Sequence, residues 1–219
     1  MDRRLAAWAR QVKARSKARD VRAVGVKAAA VKAGRGLPAL WLFTDAARLP
    51  DPLPAIARLP RGCGVVFRHD GVPGRAALAA AAARLCRRRG LLMVVAGDPR
   101  LAAAVGAGLH LRGGRMGRPW RRRWLRPGQL VTSSAHDAPE LVRAWRAGAS
   151  AAFVSPLFPT LSHPGARPLG PVRWAALARR ARGPVLALGG VSNATVGRVP
   201  PGTRGAGVIG AASGQPSSR

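Results

Sequence analysis

Tyrosine is absent and phenylalanine occurs only four times, so two of the aromatic types on which single-stranded nucleic acid stacks its bases are missing or scarce. Acidic residues are nearly as scarce. Eight Asp and Glu stand against 38 Lys and Arg, for a formal net charge of +30, which brings polyanions and anionic membrane surfaces forward as partners. The arginines are nevertheless scattered over almost every expected helix and loop instead of clustering on one face. Enrichment in Ala, Arg, Gly and Pro is also what a GC-rich genome produces. No specific nucleic-acid partner is therefore expected, only nonspecific polyanion binding at low salt. Cys63 and Cys86 are too few for a disulfide scaffold and do not have metal-ligand or redox spacing, so a reducing, cytoplasmic setting is expected. No apolar run approaches the roughly 18 residues of a membrane helix, so no transmembrane segment is expected.

The 219 residues, 47% of them hydrophobic, suit one globular domain with a sizeable core. Composition changes near Arg35-Gly-Leu-Pro38, since all four lysines (Lys13, Lys17, Lys27 and Lys32) precede it. Residues 1–36 read as a basic, flexible extension. Leu5, Trp8 and Val12 at helical spacing permit an amphipathic helix there, and the arginine-rich, acid-poor composition is shared with transit peptides. Residues 37–219 read as the folded barrel.

Beyond Leu40, short apolar runs alternate with helical patterns, as in repeated β-α units. The expected strands are Leu40–Phe43, Gly64–Phe67, Leu91–Ala96, Gly108–Leu111, Leu130–Ser133, Ala151–Ser155, Val185–Leu188 and Gly207–Ile209. Helices are expected at Pro73–Arg89, Pro99–Val105, Ala138–Ala147 and Pro171–Ala181, each with a proline placed for the first turn. Eight such strands predict a small (β/α)₈ barrel, with a doubly wound sheet as the alternative. The last helix is expected to be truncated or missing. Such an architecture admits a homodimer, although no interface stripe is legible.

Chemistry in such a barrel gathers where the strands end. Gly189-Gly190 after the seventh strand and Gly210 after the eighth would present unobstructed backbone N–H groups to a phosphate. His136, just beyond the fifth strand, is the candidate proton carrier, because an imidazole there could reach the mouth and exchange a proton with a bound ligand. Its alternative is packing at a helix start capped by Asp137. His69, His110 and His163 are further candidates, and no pair of them has helical metal-ligand spacing.

Several segments resemble thiamine phosphate synthase and its thiazole tautomerase relatives: Leu42-Phe-Thr-Asp45, Ala107-Gly-Leu-His-Leu111, Ser134-Ala-His136, Ser155-Pro-Leu-Phe-Pro-Thr-Leu-Ser-His-Pro-Gly165 with Pro168-Leu-Gly170, and Leu188-Gly-Gly190. They are collinear with the family from about Leu40 to Ala212. The resemblance implies a barrel of thiamine biosynthesis. Its synthase branch joins a pyrimidine methyl diphosphate to a thiazole phosphate with Mg²⁺. Its tautomerase branch needs no cofactor and moves a proton with the histidine matching His136.

The chain departs from the synthase pattern at the anion and metal site. Val66-Phe-Arg-His-Asp70 stands for Gln-x-Arg-Glu-Lys, so Arg68 is kept and Asp70 replaces a lysine. Gly97 takes one metal-ligand position, with Asp98 offset by one residue as the possible substitute. Leu111-Arg-Gly-Gly-Arg-Met116 contains no acid, and Ser162-His163 stands for Thr-Lys. Arg112, Arg115 and Arg167 are candidates to restore positive charge. The preferred reading is thus a tautomerase-like site. His136 is its proton carrier, Gly189, Gly190 and Gly210 hold the thiazole phosphate, and Thr160, Ser162 and Arg68 contact the ligand. Synthase activity is the alternative, and a noncatalytic phosphate-ligand-binding protein or regulator the reading of another class.

Overall fold

Strand-length apolar runs must face two ways at once in a parallel barrel, and the alternation of their side chains sorts them. In chain order the elements are α1 (Arg3–Asp20), β1 (Leu40–Phe43), α2 (Leu53–Ala57), β2 (Gly64–Phe67), α3 (Arg75–Arg89), β3 (Leu92–Ala96), α4 (Pro99–Ala104), β4 (Gly108–Leu111), β5 (Val131–Ala135), α5 (Ala138–Arg146), β6 (Ala151–Val154), α6 (Gly170–Arg179), β7 (Val185–Ala187), a 3₁₀ turn (Val196–Arg198) and β8 (Ala206–Ile209). All eight strands pair parallel in sequence order, and β8 closes on β1. This computed structural model describes residues 3–20, 36–114, 124–126, 128–160, 165 and 167–209. The expectations for Arg115, Ser162, His163 and Gly210, and those for residues 21–35 and any helix after β8, lie outside the described residues.

Trp41, Phe43, Val66, Val94, Ala96, Ala151, Phe153 and Leu186 point into the barrel. Their neighbours Leu40, Leu42, Val65, Phe67, Val95, Ala152 and Val154 point out, toward the helices. The interior is filled mainly by aromatics. Phe153 meets Trp41 and Phe43 edge to face at 5.5 and 4.9 Å. Trp41 is flanked in register by Gly64 on β2 and Gly207 on β8. A Cβ at Gly64 would lie 2.2 Å from the Trp41 ring, and one at Gly207 would lie 2.5 Å from Phe43. Glycine in these two strands thus makes room for the large side chains of the strand between them.

Outside the sheet, α3 packs through Ala79, Ala82, Ala83 and Cys86, one face at helical spacing. Burial pushes the Cys63 thiol up to about 11 and that of Cys86 to about 12, so both stay protonated packing groups. Pro73 falls before α3, whose N-cap is Gly74 in a left-handed conformation. Pro99, Pro139 and Pro171 do occupy first turns.

Within the N-terminal region read as a basic, flexible extension, residues 3–20 form α1. Leu5 is fully buried, Val12 is buried and Trp8 packs against the same core. Their spacing gives the helix one apolar edge, which lies against β1 and the 3₁₀ turn and so covers the flank of the barrel next to β8. Leu5→Ala should therefore lower stability by about 2–5 kcal/mol, the usual range for emptying a buried leucine site; a detached extension would leave the denaturation midpoint unmoved. Gly64→Ala should cost about 1–3 kcal/mol by overpacking against Trp41, read in the same urea titration.

Candidate functional site

The strand ends divide into two halves. Around β1 to β4, charges pair across neighbouring strands. Arg68 Nη2 lies 2.7 Å from Asp45 Oδ2, and Arg75, at the start of α3, binds Asp98 at 2.9 Å and Asp70 at 3.1 Å while donating to the Ala96 carbonyl. Arg112 pairs with the other oxygen of Asp70. Partial burial works to raise the Asp45 carboxyl, but the Arg48 N–H and the Arg68 guanidinium outweigh it and leave it below its ordinary value. Arg75 was not anticipated from the sequence. Its one signal is its position five residues after Asp70, at the opening of a helix.

The other half is built on β5 to β7. Asp137 caps α5 by accepting from the Glu140 N–H at 2.7 Å, and Glu140 Oε2 accepts from the His136 N–H at 2.8 Å. The cap expected of Asp137 is thus present, and it orients His136. His136 is exposed, and its Nδ1 lies 2.9 Å from the Ser155 carbonyl oxygen. A carbonyl only accepts, so Nδ1 carries the hydrogen and Nε2 of the neutral ring is free to take up a proton. The chain after Ser155 then lies on the β7 loop, with Leu157 N–H donating to Leu188 O at 2.8 Å and Phe158 N–H to Gly189 O at 3.1 Å.

Gly189 and Gly190 have φ of +85° and +64°. A Cβ at Gly190 would stand 2.3 Å from Pro159 O, and one at Gly189 2.8 Å from Pro156 Cα. Close packing of two loops therefore already requires glycine here. Among the described residues no backbone carbonyl accepts from the N–H groups of Gly189 or Gly190. Thr160 ends the described part of the adjoining loop. The structure thus groups His136, Ser155, Gly189 and Gly190 on one side of the mouth and sets Arg68 and Asp98 on the other.

Two other histidines are structural in their bonding. His69 is fully buried. Arg68 N–H donates to Thr44 Oγ1, Thr44 lies 3.0 Å from His69 Nδ1, and His69 Nε2 lies 3.0 Å from the Leu49 carbonyl oxygen. One tautomer satisfies this whole chain of groups. His110 lies inside the barrel, edge-on to Phe43 and Phe153, with Nδ1 2.9 Å from Thr132 Oγ1. Burial, reinforced by the charges of Arg68 and Arg112, pushes it down to about 3. Its folded form is neutral through the physiological range, whereas the unfolded chain takes up a proton near pH 6.5. Stability is therefore full above about pH 6.5 and declines as pH falls toward 3, with a limiting slope of about 1.4 kcal/mol per pH unit. Denaturant titrations between pH 7 and 4.5 should show this slope in the native protein and its loss in His110→Gln.

Among the described residues, the carboxylates at the strand ends do not fit a divalent cation. Mg²⁺ wants near-octahedral oxygen ligands, yet Asp98 accepts from the Leu101 N–H at 2.9 Å as the α4 N-cap and binds Arg75 besides. Asp70 is shared by two arginines. Among the described residues no three His, Cys, Asp or Glu side chains converge. Asp98, the possible substitute ligand expected from the sequence, is engaged in this structure by other groups. It serves the backbone of its own helix and a guanidinium.

A family model described as thiamine monophosphate synthase matches residues 65–213. A thiamine-phosphate synthase of Chlorobium luteolum is 31% identical over 166 residues, covering 73% of this chain and 77% of that protein. A bifunctional thiamine-biosynthesis protein of Geobacter sulfurreducens is 32% identical over 119 residues, 54% of this chain and 24% of that longer protein. Among solved structures, the thiamine phosphate pyrophosphorylase of Pyrococcus furiosus superposes with a TM-score of 0.65 at 23% identity, covering 78% of this chain and 84% of that one, a likeness that speaks for the fold. No helix among the described residues is long and apolar enough to cross a membrane. By the family match and the synthase relative, this chain belongs to the thiamine monophosphate synthase family.

Proposed function

We propose that this barrel joins a pyrimidine methyl diphosphate to a thiazole phosphate, as a thiamine-phosphate synthase does. The observation that carries the reading is 31% identity to such a synthase over 77% of its length. It supports synthase activity over the tautomerase that the residues alone favour. In the transfer, the C–O bond between the pyrimidine methylene and the diphosphate breaks, and the diphosphate leaves with the bonding electrons. The lone pair of the thiazole nitrogen then closes the new C–N bond. No proton needs to move, so the demand on the protein is electrostatic: charge developing on the leaving group must be met in place. The guanidinium groups of Arg68 and Arg112 at the ends of β2 and β4 suit that end of the ligand. Gly189 and Gly190, with Thr160, would hold the thiazole phosphate opposite, and Ser162 and Gly210 are the sequence's further candidates for that grip.

One observation favours a second reading. The His136 Nδ1 contact with the Ser155 carbonyl leaves Nε2 fitted to carry a proton, as thiazole tautomerisation requires. The two readings separate in one set of assays on the purified full chain. With both substrates supplied, thiamine phosphate should form, and Arg68→Met should lower kcat by about 10²–10³, the range for losing one transition-state donor. His136→Ala should leave transfer largely intact. Absence of product beside an active synthase would overturn the transferase reading. Thiazole isomerisation abolished by His136→Ala would then decide for the tautomerase, and ligand binding with neither turnover for a noncatalytic phosphate-binding protein.

A further inference from the structure

The ends of β3 and β4 carry an arrangement that is neither a metal site nor a simple surface ion pair. The residue after β3 is Gly97, with no side chain and φ of +69°. The residue after β4 is Arg112. A Cβ built on Gly97 would lie 3.4 Å from Arg112 Nε and 3.5 Å from its Cζ. The guanidinium therefore lies over the space into which a side chain at 97 would project. We propose that Arg112 supplies the fixed positive charge at the diphosphate end of this mouth that a divalent cation would otherwise supply, and that Asp70 holds its place until the ligand arrives. The proposal rests on the reading of the mouth as a diphosphate site.

Three features build the site. The loop bearing Arg112 is anchored: Gly113 N–H donates to Ser134 Oγ at 3.1 Å, Gly114 N–H to Ser133 Oγ at 3.2 Å, and Arg143 Nε to Gly113 O at 3.3 Å. A Cβ at Gly114 would stand 2.7 Å from the Ala144 backbone nitrogen, so the loop lies directly on α5. The base of Arg112 is thereby fixed while its head remains free to change partner.

The second feature is the weakness of the present partner. The Arg112 and Asp70 side chains are 57% and 46% exposed, and an exposed pair contributes little against water. A diphosphate offers several oxygens and more charge to a planar, multidentate guanidinium, and it wins the exchange. The third is where Asp70 is left. Its other oxygen stays 3.1 Å from Arg75 Nη2, so releasing Arg112 strands no carboxylate. Asp70 thus occupies the anion position in the free protein, and the positive charge is built into the chain.

The test is calorimetric titration of the full chain with inorganic diphosphate at constant ionic strength, in excess EDTA and in excess MgCl₂. Binding should persist in EDTA. Arg112→Gln should weaken it at least about 10-fold through loss of a charge-assisted, bidentate contact, and Asp70→Asn should strengthen it several-fold by removing the competitor. Arg173→Gln, which removes an exposed arginine from α6, controls for the general field of so basic a protein and should change affinity no more than about two-fold. Binding only with magnesium, no binding at all, or equal losses in Arg112→Gln and Arg173→Gln would overturn the proposal. Its failure is separable from failure of the transferase reading. Product formed only with magnesium would sink this inference and keep the transferase, whereas metal-free diphosphate binding without product would do the reverse.

Discussion

The barrel depends on how its interior is filled. Two of the largest side chains in the chain, Trp41 and Phe43, enter from the single strand β1 and meet Phe153 from the far side. Such volume fits only because both strands beside β1 give up their side chains at the matching register, at Gly64 and Gly207. Closure and filling are therefore one problem, since β8 reaches β1 only where glycine lets it pass the Phe43 ring. The result is a buried aromatic floor on which the mouth stands. His110 touches that floor and is held neutral by it, because a charge there would be desolvated without a counterion.

With the floor closed to charge, most of the acidic groups gather at the rim. Of eight acidic residues in the chain, Asp45, Asp70, Asp98, Asp137 and Glu140 stand at strand ends or the helix starts beside them. Each is already engaged, with an arginine, a helix N-terminus or both. A protein of net charge +30 thus concentrates its few acids where its ligand is expected to bind. There they hold the arginines in position. That arrangement favours a ligand able to displace a carboxylate, which means an anion with more charge or more oxygens than Asp70 can offer.

The barrel was legible because its strands announce themselves as short β-branched or leucine-rich runs between helical stretches, and the observed strands match those runs to within a residue or two at each end. The inward or outward sense of those runs was not read from the pattern, since parallel strands buried on both faces show no polar alternation. The burial of α1 was hidden by its basic composition, because three apolar residues among many arginines suit a loose helix and a docked one equally well. Asp98 looked available because a carboxylate beside a glycine turn reads as a ligand. Only the N-cap bond to Leu101 and the approach of Arg75, brought in from another unit, show it engaged. Arg75 itself carries no motif. His136 was correctly placed at the end of β5, but a positioned histidine specifies no reaction, and it was similarity over most of the chain that moved the reading toward transfer.

The two halves of the mouth differ in the kind of charge they offer. On the β5–β7 side the positive ends are backbone N–H dipoles held by loop packing, which suit a phosphate that is bound and kept. On the β1–β4 side they are guanidinium groups already paired with carboxylates, free to change partner without moving the backbone. A group-transfer reaction needs both: a static grip on the acceptor, and on the donor side a counter-charge that gains strength as the leaving group acquires its full negative charge. Arg112 suits the second role better than a backbone dipole does. Its bond to Asp70 is exposed to water, and in the proposed role its bond to a departing diphosphate would strengthen as the C–O bond opens, placing more of its interaction energy in the transition state.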